Sequence, residues 1–225
     1  MQNNNPNNLT ISVHAQVLHF IRAHRNGETA GMMNKRGIQY NMNYGVSIIH
    51  IRQYAKELGC NHHIALKLWK ENMRETKLFA LYMFDPKLIT IDELNEIVLQ
   101  INNTELAEQA AFSILKDADI PQNILMGWCQ NTSQAVKLTA YSTINRKFKT
   151  NTIIDFDFGL FFDVLHYEIA QDFILPSKSI SFALSEIARK GHKDTIETFL
   201  KKLETINTKQ SLFIVECVKN DFMYY

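Results

Sequence analysis

The feature that most constrains this chain is an apolar rhythm of three and four residues that restarts repeatedly after breaks of only a few residues. That spacing places apolar side chains on one face of an α-helix. In "NMNYGVSIIHIRQYAKELG" (residues 41–59), Ile48, Ile51, Tyr54, Ala55 and Leu58 recur in this way. Ser47 precedes them as an N-cap whose hydroxyl is suited to accept an orphan backbone N–H, and Gly59 supplies a left-handed stop. Gly45 permits a tight approach before the cap. The same rhythm predicts a first helix through "VHAQVLHFIRAH", opened by Thr10 or Ser12 and ending near Gly27. It continues in "NHHIALKLWKEN", in "RETKLFALYMF" up to Asp85-Pro86, in "TIDELNEIVLQI" capped by Thr90, and in "ELAEQAAFSIL" capped by Asn103 or Thr104. "PQNILMGWCQ", "QAVKLTAYSTINRKFK", "DFDFGLFFDVLHYEIAQDF", "SKSISFALSEIARKG", "KDTIETFLKKLETI" and "KQSLFIVECVKNDFMYY" complete the series. Only "NTIIDFDF" is ambiguous between helix and strand. Four prolines and eight glycines in 225 residues suit a chain with few turns to make. The fold class is all-α.

Helices joined by short loops pack as antiparallel pairs, and stacked pairs form a solenoid. A closed helical bundle is the rival arrangement, since no strict repeat is visible. The expected organisation is a disordered polar N-terminus over residues 1–9, "MQNNNPNNL", followed by one helical domain over residues 10–225.

Several function classes are unfavoured. The formal net charge of +1 announces no strongly basic nucleic-acid binder, although local basic patches remain compatible with it. Cys60, Cys129 and Cys217 are far apart and odd in number, which argues against a disulfide framework or zinc site and for a reducing cytoplasm. No signal peptide and no membrane span are expected. His14, His19 and His24 recur every five residues and so rotate around a helix; with His62-His63 after Cys60 they suggest no metal site. "DFG" at residues 157–159 lacks the other kinase signatures. No cofactor is expected. Trp69 and Trp128 lie on apolar stripes and read as core. The candidate carboxylates are Glu105 and Glu108, close to a helix N-terminus that favours acids in any case.

The basic groups are more suggestive. Lys35-Arg36 precedes the 41–59 stretch, Arg52 lies on its helix and Arg74 begins a later one. "RKFK" (residues 146–149) and "RKGHK" (residues 189–193) both fall at helix C-terminal ends, where cations complement the helix dipole. If the pairs stack in register, these ends line one edge suited to a phosphate backbone.

"YGVSIIHIRQYAKELG", "NHHIALKLWKENMRETKLFALYMFDPKLIT" and "LAEQAAFSIL", in that order, resemble the AlkD-like DNA alkylation repair proteins, most clearly from about Lys35 to Leu115. The resemblance implies a HEAT-like repeat superhelix whose concave basic face holds duplex DNA, damaged or intact. It makes Lys35, Arg36, Tyr44, Ser47, Arg52, Arg74, Lys137, Lys149, Arg189 and Lys190 candidate DNA contacts. Glycosylase members carry a Trp-Asp pair and a further Asp one turn on. Here "INNTELAEQAAF" has Asn103 and Thr104 in place of the pair and Ala107 in place of the Asp. Lys137 and Leu138 stand near a family Arg, and Phe182 stands for a later Trp. An alkylated purine is cationic, so an aromatic face plus a carboxylate is the device that would stabilise it. Its loss implies a DNA-binding member without the usual base-excision chemistry. Glu108 is the acid to test for any residual N-glycosylase activity on alkylated purines, with Trp128 as a stacking candidate. The alternative is a protein-interaction scaffold without enzymatic activity, to which the acidic "DFDFGLFFD" is suited.

Overall fold

The computed structural model describes residues 6–224 apart from 154, 172 and 173. The described residues form helices joined by turns and loops, with no strand among them, and the described residues of the ambiguous "NTIIDFDF" are turn and loop that lead into a helix. In order the helices are α1 (Pro6–Ala23), α2 (Gly27–Lys35), α3 (Ile48–Leu58), α4 (His62–Lys70), α5 (Arg74–Met83), α6 (Ile91–Leu99) and α7 (Thr104–Ala110). Then follow α8 (Gln122–Cys129), α9 (Gln134–Thr150), α10 (Phe158–Ala170), α11 (Ser177–Ile187), α12 (Lys193–Ile206) and α13 (Lys209–Phe222). Two π-helical turns interrupt the series: Ala111–Leu115 extends α7, and Ala188–His192 joins α11 to α12. At the second, Lys190 leaves the helical region and Gly191 is left-handed at φ 96°, so the chain turns there.

The chain divides into two compact units, Met1–Ile97 and Val98–Tyr225. In the first, α4 packs on α5, α3 lies against α5, and α1 contacts both α4 and α5. Val17, Ile21, Ile51, Ile64, Leu68, Leu78 and Phe79 are buried between them. Each such side chain contributes roughly 1.5–3 kcal/mol relative to exposure. Phe20 stacks on Tyr54 at 4.2 Å between ring centroids and meets Phe79 edge-on at 5.8 Å, joining α1, α3 and α5. In the second unit α9 packs against both α7 and α11, and α11 against α13. The second layer, α8, α10 and α12, packs behind this row: α8 on α9, α10 on α8 and α12, and α12 on α13. Tyr141, Ile144, Phe161, Leu165, Ile180, Leu184, Leu203 and Ile214 fill the interior.

Side-chain caps fix several helix starts. Asn26, Asn61, Asn103 and Asp157 each accept the backbone N–H three residues on. Thr90 and Glu93 exchange hydrogen bonds as a capping box, as do Thr208 and Ser211. The "DFG" aspartate, Asp157, is therefore a helix cap. Trp69 and Trp128 are both buried.

Three local expectations change. The first helix starts at Pro6, a residue suited to a first turn, not at Thr10 or Ser12. A separate helix, α2, follows the first one, at residues to which the apolar rhythm assigned no element, because none of its side chains is buried and it shows no apolar stripe. Ser47 occupies the N-cap position of α3 but its hydroxyl makes no capping bond; the first helical bond is Ile51 N–H to the Ser47 carbonyl at 3.0 Å. Residues 1–5 of the Asn-rich N-terminus lie outside the described residues.

Candidate nucleic-acid interface

In the first unit the loop before α3 is held by a buried ion pair. Arg74 Nη1 lies 3.0 Å from Glu75 Oε1, and both residues are almost inaccessible, at 3% and 0% exposed. Arg74 Nη1 also donates to the Val46 carbonyl at 2.8 Å, and its backbone N–H donates to the Met42 carbonyl at 2.9 Å. Glu75 accepts the Tyr44 and Val46 amides at 3.1 and 3.2 Å. Both charges thus have partners, as charges out of water require. Gly45 has φ 70°, and a Cβ there would collide with the Asn26 carbonyl and lie 2.8 Å from the Ala30 amide nitrogen. The Asn26 amide donates to the Tyr44 carbonyl at 2.7 Å, closing the loop onto the start of α2.

This arrangement changes the role of one candidate. Arg74 is a buried anchor of the loop and no surface phosphate contact. Tyr44 is half-buried, and its backbone is committed to Glu75 and Asn26. Ser47, Lys35 and Arg36 are exposed, the last two at the C-terminal end of α2. Arg52 is exposed on α3, its guanidinium 5.5 Å from the Tyr82 ring centroid and 3.5 Å from the Tyr82 hydroxyl. Beside Ser47 lies a cavity of about 420 Å³ lined by His24, Arg25, Asn26, Thr29, Gly45 and His50. His24, Arg25 and His50 were not singled out for binding from the sequence, because they belong to different helices or loops and only the fold joins them.

In the second unit the row α7, α9, α11 carries the remaining candidates. The α7 positions where the resemblance places catalytic groups have structural roles. Asn103 caps the helix, accepting the Leu106 amide at 3.0 Å, and Ala107 is fully buried. Glu108 is exposed on α7. Lys137 faces inward from α9, 4% exposed, and pairs with the equally buried Glu168 of α10. Burial lowers the Lys137 pKa from its ordinary 10.5, and Glu168 supplies the compensating charge. Lys137 is thus no surface contact either. Beneath it, burial pushes the Cys129 thiol up to about 12.

The cations at the helix ends do come together. Lys190 Nζ donates to the Lys149 carbonyl at 3.3 Å, so the exposed ends of α9 and α11 are adjacent. Arg189 is paired with Glu186 at 3.3 Å and Asp221 at 3.4 Å, which partly neutralises it. Arg146, one turn before Lys149, lies 5.2 Å from the centroid of the Phe112 ring on the π-helical turn after α7. Phe182, in place of the expected Trp, is 49% exposed, with Lys178 Nζ 5.6 Å from its ring centroid. No group of three or more metal-binding side chains occurs among the described residues. No helix among them is long and apolar enough to cross a membrane.

An all-α chain of layered helix pairs, with cations at the ends of its helices, is the class that the fold and the surface define. The sequence profile of the DNA alkylation repair enzymes matches residues 17–219, and the chain belongs to that family. A solved structure from "a new family of proteins related to the HEAT-like repeat DNA glycosylases with affinity for branched DNA structures" superposes with a TM-score of 0.70. Its identity is 15%, over 92% of this chain and 94% of that one, so the HEAT-like repeat fold is shared. A search of curated proteins found no match.

Proposed function

We propose that this protein binds DNA through cations at the ends of its helices and does not excise bases by the family chemistry. The observation that supports this most is the pairing of exposed Lys149 and Lys190 at the ends of α9 and α11, beside Arg146. Ammonium groups at helix C-termini displace counterions from a phosphate backbone and read no sequence. Lys35, Arg36, Ser47 and Arg52 supply further contacts in the first unit. Ala107 and the Lys137–Glu168 pair argue against a lesion pocket of the glycosylase kind, since Ala107 has no carboxylate to offer and that of Glu168 is buried against Lys137. The affinity of the structural relative for branched DNA makes a junction the substrate to test beside a plain duplex. Three free cysteines, Cys129 among them buried, suit the cytoplasm.

Fluorescence anisotropy of a labelled duplex, a four-way junction and a duplex with a stable cationic lesion mimic tests this across a salt titration. DNA binding that falls steeply with salt, without release of alkylated base, is the expected result. No binding at low salt overturns it and leaves the scaffold reading. Exposed Leu212 and Phe213 on α13 favour that alternative, as an apolar site for a protein partner.

A further inference from the structure

We infer that the cavity between His24, Arg25 and His50 is a phosphate seat, a site for one tetrahedral oxyanion. It deepens the DNA-binding reading and rests on it only for the source of the phosphate.

The cavity lies wholly within the first unit, and no carboxylate is among its lining residues. Three of those residues carry or can acquire positive charge, and they arrive from different segments: His24 and Arg25 after α1, His50 on α3. Among the described residues no ion pair engages the side chain of Arg25 or of His50. His24 is exposed yet held from two sides. Its ring stacks on Phe20 at 4.0 Å between centroids, and its Nδ1 donates to the Phe20 carbonyl at 2.9 Å. A carbonyl only accepts, so Nδ1 carries a proton and Nε2 is the atom left for a ligand, as a donor once the ring is protonated. The His50 ring lies edge-on to it at 5.9 Å.

The backbone adds donors. The first bond inside α3 is made by the Ile51 amide, so the amides of residues 48–50 precede it and have no helical partner. The Ser47 hydroxyl, which makes no capping bond, stands on the same rim. Gly45 and the Arg74–Glu75 pair hold this backbone against Asn26, so the donors are placed before any ligand arrives. A volume of about 420 Å³ admits a phosphate with part of the sugar attached to it.

The test is an amide NMR titration of the full chain with inorganic phosphate, with chloride matched for ionic strength as the control. Saturable shifts at the amides of residues 48–50 are expected with phosphate and not with chloride. Arg25→Gln and His50→Gln, both exposed positions, should each weaken phosphate about tenfold, the weight of one charge-assisted hydrogen bond. The same spectra report that the variants are folded. Oligonucleotides with and without a 5′-phosphate then separate the sources. Stronger binding of the phosphorylated strand assigns the seat to a strand end, equal binding to the internal backbone, and phosphate binding without either strand to a free phosphate compound. Shifts that are absent, are reproduced by chloride, or are unchanged in both variants overturn the seat. If junction and duplex DNA bind while phosphate does not shift these amides, the seat fails and the DNA reading stands.

Discussion

Ala107 and Glu108 are neighbours on α7, and one residue of helix separates a buried methyl from an exposed carboxylate. Successive helical positions differ by about 100°, so Glu108 cannot serve the position that Ala107 occupies without rotating the helix. The Glu108→Gln variant should bind DNA as the parent does and change stability by less than about 0.5 kcal/mol, as exposed substitutions do. A measurable base-release activity that this substitution removes would restore the glycosylase assignment. Cys129 offers a second test at this scale. Its folded pKa of about 12 stands above the ordinary 9.0, because burial disfavours the thiolate. The unfolded chain therefore loses the proton first. The contribution of this group to stability is complete below pH 9 and declines as pH rises toward 12. Thiol titration with a disulfide reagent near neutral pH should label exposed Cys60 readily and leave Cys129 untouched until the protein unfolds.

At the scale of the element, the loop before α3 is the most determined part of the first unit. Glu75→Ala would leave the Arg74 guanidinium buried without its carboxylate and free the Tyr44 and Val46 amides; a loss of about 3–5 kcal/mol is expected. Gly45→Ala should also destabilise, since Gly45 combines a left-handed φ with a Cβ that would meet the Asn26 carbonyl. Chemical denaturation of the two variants checks both, and a parental midpoint in either would refute the anchoring role. Much of this element was readable in advance. The apolar spacing from Ile48 to Leu58 marked the helix, and Gly45 marked the close approach. The position of Arg74 was not readable, because an Arg at a helix start is ordinarily solvated and its burial depends on Glu75 and on a loop about thirty residues earlier. Helix α2 was missed for the opposite reason: with no buried residue, it has no pattern to betray it. The cavity beside Ser47 was also hidden, since separate segments supply its cations.

For the molecule as a whole, net charge is a poor guide, because +1 over 225 residues hides where the cations stand. Arg74 and Lys137 are neutralised inside, and Arg189 is partly paired outside, whereas Lys149 and Lys190 remain exposed at adjoining helix ends. A phosphate backbone responds to that distribution and a protein partner need not. If both lysines contact phosphates, the Lys149→Gln/Lys190→Gln variant loses two counterion-releasing contacts, and the slope of log affinity against log salt should flatten by about 1.8. Thermal unfolding should be unaffected apart from the single exposed hydrogen bond that Lys190 makes to the Lys149 carbonyl. The weakening should also be alike for unrelated sequences, because backbone contacts carry no base information. An unchanged slope with normal stability would remove these helix ends from the interface and direct the search to the cations of the first unit. A loss confined to the junction, with duplex binding intact, would instead mark them as the part of the surface that distinguishes branched from linear DNA.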